Sequence, residues 1–501
     1  MSNTKVLLIE MRPAFDGFAG IPQETRLLFR GLSSSQLFKT TGLLQTSTRF
    51  LPRATRVERE ARRYCELISI GTQARRVISI EAPVKRGLLA GVTNYLRKRV
   101  VSWRLAIAAI VHGDGPNIGI DKLDSTVFRD YIWSRLFSKT LEAKDFALVT
   151  MQDFHTCNVP WNVFQSAGLL GGTLTRRVRY PKIGMPGVDF FIAQTPYPGR
   201  VPDSVTMIVR YHDAFPISMP HTIANRARHH DTHFQALLSN VASGAYFSCV
   251  SETTRQDLIR LIPEVEPRSV TIHNMLPAFF YREPDFIEDM AALIQRHAST
   301  DPRLLPPTRD AILAGGKVRY LLFVSTIEPR KNHATLISAW ENYARTVDPE
   351  LKLVFVGKLG WELTEFLPRL NQHIATKRLF VLSDLSPHDL KSLYRQAEAT
   401  ICPSLAEGFD FSGVESMACG GAVIASDIPV HREIYRDAAL YFDTYSSDSL
   451  VDALKTLLAD PRSPRDALVT QGRKVSMEYH PDRIIPQWEA FLDRLGRTRG
   501  A

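Results

Sequence analysis

Cysteine is scarce in this chain, with five among 501 residues, at Cys65, Cys157, Cys249, Cys402 and Cys419. An odd, scattered set with no pair at metal-ligand spacing excludes a disulfide framework or a zinc module and predicts buried, reduced thiols. No run approaches the roughly 20 apolar residues of a membrane-spanning helix. The N-terminus enters an apolar strand pattern almost at once, without a basic-then-apolar leader, so a cytoplasmic protein is expected. Zinc-finger spacing, basic-region heptads and aromatic RNA-binding strand motifs are missing, and no nucleic-acid partner is expected. His229 and His233 lie one helical turn apart but lack the Glu of a zincin, and no Asp-x-Asp metal carrier stands out. No metal and no cofactor are therefore expected. Internal repeats and low-complexity tracts are also missing.

What is present is length, positive charge and alternation. A chain of 501 residues can build two sizeable cores. The net charge of +10 points to an anionic partner, either a phosphorylated substrate or an anionic membrane surface. Residues from about 49 to 112 concentrate the cations, with Arg75, Arg76, Lys85, Arg86, Arg97, Lys98, Arg99 and Arg104 interleaved with Leu88, Leu89, Tyr95, Leu96 and Trp103. This segment reads either as a peripheral, membrane-facing one or as a solvated helix covering its own domain.

Strand patterns alternate with helix patterns along the rest of the chain, which predicts an α/β protein. Lys5 to Glu10 reads as a buried strand, followed by a loop carrying Gly17 and Gly20 and a helix from Gln23 to Leu32. Leu148 to Met151, Phe190 to Ala193, and Val205 to Tyr211 read as further strands, with a Gly-rich loop or hairpin from Gly171 to Gly187. The strand ending at Tyr211 delivers His212 and Asp213 to its carboxyl edge, where open α/β sheets bind ligands. Pro302, Pro306, Pro307, Gly315 and Gly316 mark a linker. The pattern restarts at Tyr320 to Val324, followed by Ser325-Thr326-Ile327-Glu328-Pro329-Arg330-Lys331-Asn332 and a helix.

The densest stretch runs from Pro403 to Gly421. It lies between the apolar runs Ala399 to Cys402 and Ala422 to Ala425, with Glu407-Gly408-Phe409-Asp410-Phe411-Ser412-Gly413 leading into a helix that carries Glu415 and ends at Gly420 or Gly421. Ser412 is the expected helix cap. A helix N-terminus at a glycine-bearing loop suits a phosphate. Arg330 and Lys331, in a loop after a strand, can reach a diphosphate, and carboxylates such as Glu407 and Glu415 suit flanking hydroxyls. The bland alternative is two solvated cations, a solvated Glu407, and a Glu415 that only favours a helix N-terminus.

The stretch Pro-Ser, Glu-Gly-Phe, Glu415 and Met-Ala-Cys-Gly resembles the signature of the family 4 retaining glycosyltransferases, which have the GT-B fold. The run Thr326 to Asn332 is similar to the motif of their mannosyltransferase-like branch. The strand-His-Asp-x-x-Pro segment and Gly20-Ile21-Pro22 also resemble theirs, although an ordinary tight turn equally explains the latter. The chain departs from the pattern at Asp410, where Gly is usual, at Ser412-Gly413, where Pro-Val is frequent, and at Ser325-Thr326, where some relatives place a further Arg.

The resemblance implies two doubly wound Rossmann-like domains facing across a cleft. Their expected spans are residues 1–300 for the acceptor side, a linker at 301–317, a donor domain at 318–480, and a final helix at 481–501 crossing back. It implies catalytic roles for His212 and Glu407. It places the donor against Gly20, Ser325, Arg330, Lys331, Gly408, Phe409, Asp410, Phe411, Ser412, Gly413 and Glu415. The implied reaction moves a hexose, with GDP-mannose the favoured donor, onto a glycan or lipid-linked acceptor. A GT-B epimerase or hydrolase, or a decayed nucleotide-sugar-binding scaffold, are the alternatives.

Overall fold

The structure, a computed structural model, describes residues 4–18, 20–52, 66–81, 88–111, 118–282, 289–305, 318–460 and 463–498. Two sheets organise them. The first contains β1 (Lys5–Glu10), β2 (Phe38–Gln45), β3 (Ile118–Leu123), β4 (Asp153–Cys157), β5 (Ile183–Gly184), β6 (Phe190–Ala193), β7 (Thr206–Tyr211), β8 (Tyr246–Cys249) and β9 (Ser269–Thr271). The second contains β10 (Tyr320–Val324), β11 (Lys352–Val356), β12 (Leu379–Leu382), β13 (Ala399–Cys402), β14 (Val423–Ser426) and β15 (Ala439–Phe442).

The first sheet runs β5-β3-β4-β2-β1-β6-β7-β8-β9 and the second β12-β11-β10-β13-β14-β15. All described pairings are parallel except β3 with β4. Strand order reverses between β1 and β6 in the first sheet and between β10 and β13 in the second. Such switch points open a crevice at the carboxyl ends of the strands.

Both sheets are covered on both faces, because successive residues on a strand point to opposite sides. On β10, Tyr320 and Leu322 enter one core while Leu321 and Phe323 enter the other. On β6 and β7, Phe191 and Met207 lie on one side, and Phe190 and Ile208 on the other. Cys157, Cys249, Cys402 and Cys419 are buried and form no disulfide among the described residues, while Cys65 lies outside the described residues.

Three readings change. The apolar run at Leu148 to Met151 is mostly the end of a short helix, Phe146–Thr150, and the strand follows it at Asp153–Cys157. A short apolar run does not by itself distinguish a buried strand from a buried helical turn. The helix Trp161–Thr175 occupies the start of the supposed loop at 171–187. The chain also leaves the first domain before residue 300. Met275 belongs to a first-domain core, whereas Leu276, Phe280 and the helix Met290–His297 pack with β10 to β12. Ala298 bridges to Leu382. Most of the linker stretch, 306–317, lies outside the described residues.

The terminal helix Pro481–Thr498 buries Ile484, Trp488, Phe491, Leu492 and Leu495 against Leu7, Ile9, Leu28 and Leu32 of the first domain. Ser35 also donates to Glu489 at 2.6 Å.

Candidate active site

The two switch points face each other, and the predicted residues gather between them. From the second domain, the 3-10 turn Pro329–Lys331 follows β10, and the helix Phe411–Cys419 follows β13. From the first, Gly20 caps the helix Ile21–Ser33 after β1, while His212 and Asp213 follow β7. A Cβ built on Gly408 would fall 1.9 Å from the His212 carbonyl oxygen. The lobes meet there, and only glycine fits.

Charge is concentrated on the second-domain side. Arg330 Nη1 lies 2.9 Å from Glu407 Oε2, and Lys331 Nζ pairs with Glu407 Oε1. Arg330 also donates to the Ala406 carbonyl at 2.6 Å, pairs with Glu328 at 2.9 Å, and lies 4.9 Å over the Phe215 ring of the other lobe. Burial alone would push the Glu407 carboxyl up, but Arg330 and Lys331 outweigh it and hold it net below the usual range. Ser404 adds a 2.6 Å hydrogen bond. Glu407 is thus an ionised carboxylate held between two cations. Half-buried Asp213 faces this group, its pKa raised by desolvation against the opposing charge of Arg330.

The helix cap differs from expectation. The helix begins at Phe411, and Asp410, at φ +61°, accepts from the Ser412 N–H at 3.2 Å and the Ser412 hydroxyl at 2.7 Å. Asp410 Oδ2 lies 3.2 Å from His431 Nε2. Burial opposes its charge, yet the hydrogen bonds of His431 and Ser412 and the nearby Lys331 hold it far below the carboxylate range. Asp410 is therefore a satisfied capping anion, not a loose negative charge. Gly420, at φ +83°, ends the helix as expected.

Glu415 departs further. Gln23 of the first lobe donates to Oε1 and Tyr394 to Oε2, each at 2.9 Å. Burial raises its pKa to about 7. Both oxygens of Glu415 thus already accept a hydrogen bond, one of them across the gap between the lobes. A raised carboxyl contributes stability that is complete below about 4.5 and lost as pH rises through about 7. Glu415→Gln removes that titration. The stability of the wild type minus that of the variant should therefore fall by about 3 kcal/mol between pH 4.5 and 8, read by urea melts. A constant difference would show that Glu415 titrates normally.

Of the remaining predicted residues, Phe409 is a core side chain, 4% exposed, with its ring edge-on to Tyr479 at 5.2 Å. Its side chain is not positioned for a donor. Phe411 packs on Phe409 at 5.2 Å, and Gly413 leaves room for the Tyr435 ring. The Ser325 N–H bonds the Val356 carbonyl at 3.0 Å at the end of β10.

His212 has its pKa pushed down to about 3 by burial and the charge of Arg210, with the Gln194 backbone hydrogen bond opposing, so the ring is neutral at working pH. Its Nε2 is buried without a hydrogen-bond partner, as are both side-chain polar atoms of Gln194 beside it. Gln194, at the carboxyl end of β6, is a candidate that motif reading left among its neighbours.

Two further inter-lobe contacts went unread in the sequence. Glu433 accepts from the backbone N–H of Glu252 at 2.6 Å and Thr253 at 2.8 Å, and lies 2.9 Å from His273. A carboxylate of one lobe thus sits on a helix N-terminus of the other. Trp361 donates its indole N–H to the Thr222 carbonyl at 3.0 Å. No spacing in the chain records these contacts; only the packing of the two lobes reveals them.

Comparison with known proteins agrees with this geometry. Residues 307–475 match the family model described as Glycosyl transferases group 1, about a third of the chain. The serotype-specific mannosyltransferase WbdA of Escherichia coli is 33% identical over 164 residues, 32% of this chain and 20% of that protein. O-antigen chain mannosyltransferase B of E. coli is 29% identical over 168 residues, 34% of this chain and 44% of its own length. The chain thus spans a fifth to less than half of these curated relatives. Among solved structures, sucrose-phosphate synthase from Thermosynechococcus elongatus aligns over 99% of this chain and 100% of its own, with a TM-score of 0.55 at 13% identity. Anabaena Alr3699/HepE, solved in complex with UDP, covers 98% of this chain and 100% of its own, with a TM-score of 0.51 at 14% identity. The second domain is therefore similar in sequence to the group 1 glycosyl transferases, and the whole chain has the two-lobed GT-B fold.

Proposed function

We propose that the protein is a nucleotide-sugar-dependent glycosyltransferase that moves a hexose with retention onto a glycan or lipid-linked acceptor, and that the donor is GDP-mannose. The observation that carries this reading is the meeting of two sheet switch points around Arg330, Lys331, Glu407 and the N-terminus of the Phe411–Cys419 helix. The similarity to mannosyltransferases supports the choice of sugar.

In this reading the acceptor oxygen bonds to the anomeric carbon as the bond to the diphosphate oxygen breaks, on the same face. The acceptor proton passes to the departing phosphate. Lys331, Arg330 and the helix N-terminus stabilise the charge on the leaving diphosphate, without a metal. Glu407 then turns from the cations to the hexose hydroxyls. Glu415 takes the ribose after Gln23 withdraws, and the neutral His212 accepts a hydrogen bond at Nε2.

The protein works, on this proposal, in the cytoplasm against an anionic membrane. Among the described residues no helix is long and apolar enough to cross one. The helix Leu88–Val111 instead exposes Val92, Leu96, Val100, Trp103, Ile107 and Val111, which fall on one stripe of about 100°. Arg97, Lys98, Arg99 and Arg104 accompany them, and no acidic residue occurs from 82 to 111. The side chains of Lys85, Arg86, Leu88 and Leu89 lie outside the described residues.

A thermal-shift screen of nucleotide-sugars, followed by product analysis with and without acceptor, tests the reading. GDP-mannose should give the largest rise, and transfer should need an acceptor. Sugar isomerisation or hydrolysis alone would favour an epimerase. Glu407→Gln supplies the sharper test. It releases Lys331 from its ion pair, so GDP should bind up to about tenfold more tightly, while transfer falls by at least about 10². Unchanged transfer in this variant would remove Glu407 from the chemistry.

A further inference from the structure

Behind the membrane-facing stripe, the same helix walls a second site. A cavity of about 860 Å³ lies between the helix Leu88–Val111 and the loops after β2 and β4, with Phe50, Ser79, Arg97, Arg104, Leu105 and Asn158 in its lining. Arg97, Val101, Arg104 and Ala108 point into it. At 100° per residue they lie about a third of a turn from the exposed apolar stripe. One helix thus presents an apolar face outward and a cationic one to a cavity.

The site is built rather than incidental. Leu51 N–H bonds the Asn158 carbonyl at 3.0 Å, tying the two loops together. The fully buried Arg76 pairs with Asp121 and reaches the Pro52 carbonyl and the Thr156 hydroxyl, each at 3.2 Å, so it ties the lining residue Pro52 to the sheet. Among the described residues the lining contains no acid, and neither Arg97 nor Arg104 forms an ion pair. Arg97 stacks over the Phe50 ring at 4.4 Å. Two guanidinium groups that pair with no acid among the described residues, set above apolar walls, suit an anion attached to an apolar chain.

The position relates the cavity to the reaction. The loops come from the carboxyl ends of β2 and β4, and β2 neighbours β1. The strand spacing of about 4.8 Å puts the cavity on the same sheet edge as Gly20 and Gln23, one to two strands away.

We propose that this cavity binds the phosphate and first carbons of a phosphate-bearing lipid that carries the acceptor glycan, holding the carrier at the membrane while its sugar reaches His212. This rests on the transferase reading, but its test does not depend on activity. Decyl phosphate, titrated by calorimetry below its micelle concentration, should bind the full chain at least tenfold more tightly than inorganic pyrophosphate or decanol. Arg97→Gln with Arg104→Gln should lose that binding at least tenfold, and Val101→Phe, which fills the cavity, should do the same. GDP binding should be unchanged in all variants. Equal binding of pyrophosphate, or decyl phosphate binding that survives both changes, would overturn the proposal. Decyl phosphate binding at this cavity in a protein that ignores every nucleotide would keep the lipid site and sink the donor reading.

Discussion

Replacing Lys331 by alanine is expected to lower kcat/KM for transfer by about 10² to 10³-fold, the usual cost of removing one fixed group aimed at developing charge. The reasoning starts from burial. Lys331 is held beside Glu407 in a region screened from water, with Arg330 on the other carboxylate oxygen. At 4 Å and an effective dielectric near 20, two unit charges interact by about 4 kcal/mol, so a cation here acts strongly on a departing diphosphate. The fold should survive, because Arg330 still neutralises Glu407. A loss of one charge-assisted contact costs about 1.5–3 kcal/mol, a shift in Tm of a few degrees. The discriminating measurement is ligand binding. The variant should lose affinity for GDP while its affinity for guanosine stays the same, since the cation acts on phosphate. Equal loss for both would mean that Lys331 only shapes the pocket, and full transfer activity would remove it from the mechanism.

How much of this arrangement was legible depended on whether a residue's role was local. The strands β1, β6, β7, β10, β13 and β14 follow from short patterns, and the structure places them within a residue of where the sequence put them. The cluster of Arg330, Lys331, Glu407 and Glu415 was readable because the loops after β10 and β13 adjoin across one switch point. The error at Leu148–Met151 was a choice between two structures for one short apolar run. The capping error had a different source. Ser412 is a good cap by residue type, but the left-handed backbone at Asp410 starts the helix two residues earlier, and the Asp410 carboxylate accepts the Ser412 N–H. Gln23 and Glu433 escaped because their partners lie more than a hundred residues away, and no spacing in the chain records them. Glu415 illustrates the limit most clearly. Its place in the site was legible, but its burial between Gln23 and Tyr394, and hence its raised pKa, was not.

The same long-range logic predicts the largest stability effect, at Arg210. This guanidinium is fully buried and pairs with the equally buried Glu24 at 2.9 Å. It also donates to Ser248 at 2.9 Å, the Ile272 carbonyl at 2.6 Å and Asn274 at 2.8 Å, and lies 5.3 Å over the Trp488 ring. One side chain therefore joins β7, β8, the end of β9, the Ile21–Ser33 helix and the returning C-terminal helix. Arg210→Ala leaves Glu24 and three acceptors without their partner and should cost about 3–5 kcal/mol in urea melts at pH 8. The sign of the pH dependence is set by Glu24, whose pKa burial raises to about 7 against the pull of Arg210. As pH falls through about 7 the carboxyl takes up a proton and no longer needs the cation, so the deficit should shrink at pH 5.5. Adding Glu24→Leu to Arg210→Met should recover at least half of the loss, because an apolar pair leaves no uncompensated charge. A deficit below about 1 kcal/mol, or one that grows at acid pH, would contradict this account. The site feels the same change. Arg210 lies on β7 two residues before His212, which follows the strand, and Glu24 follows Gln23 on one helix, so loosening the pair should raise KM for the donor even in protein held well below its melting point.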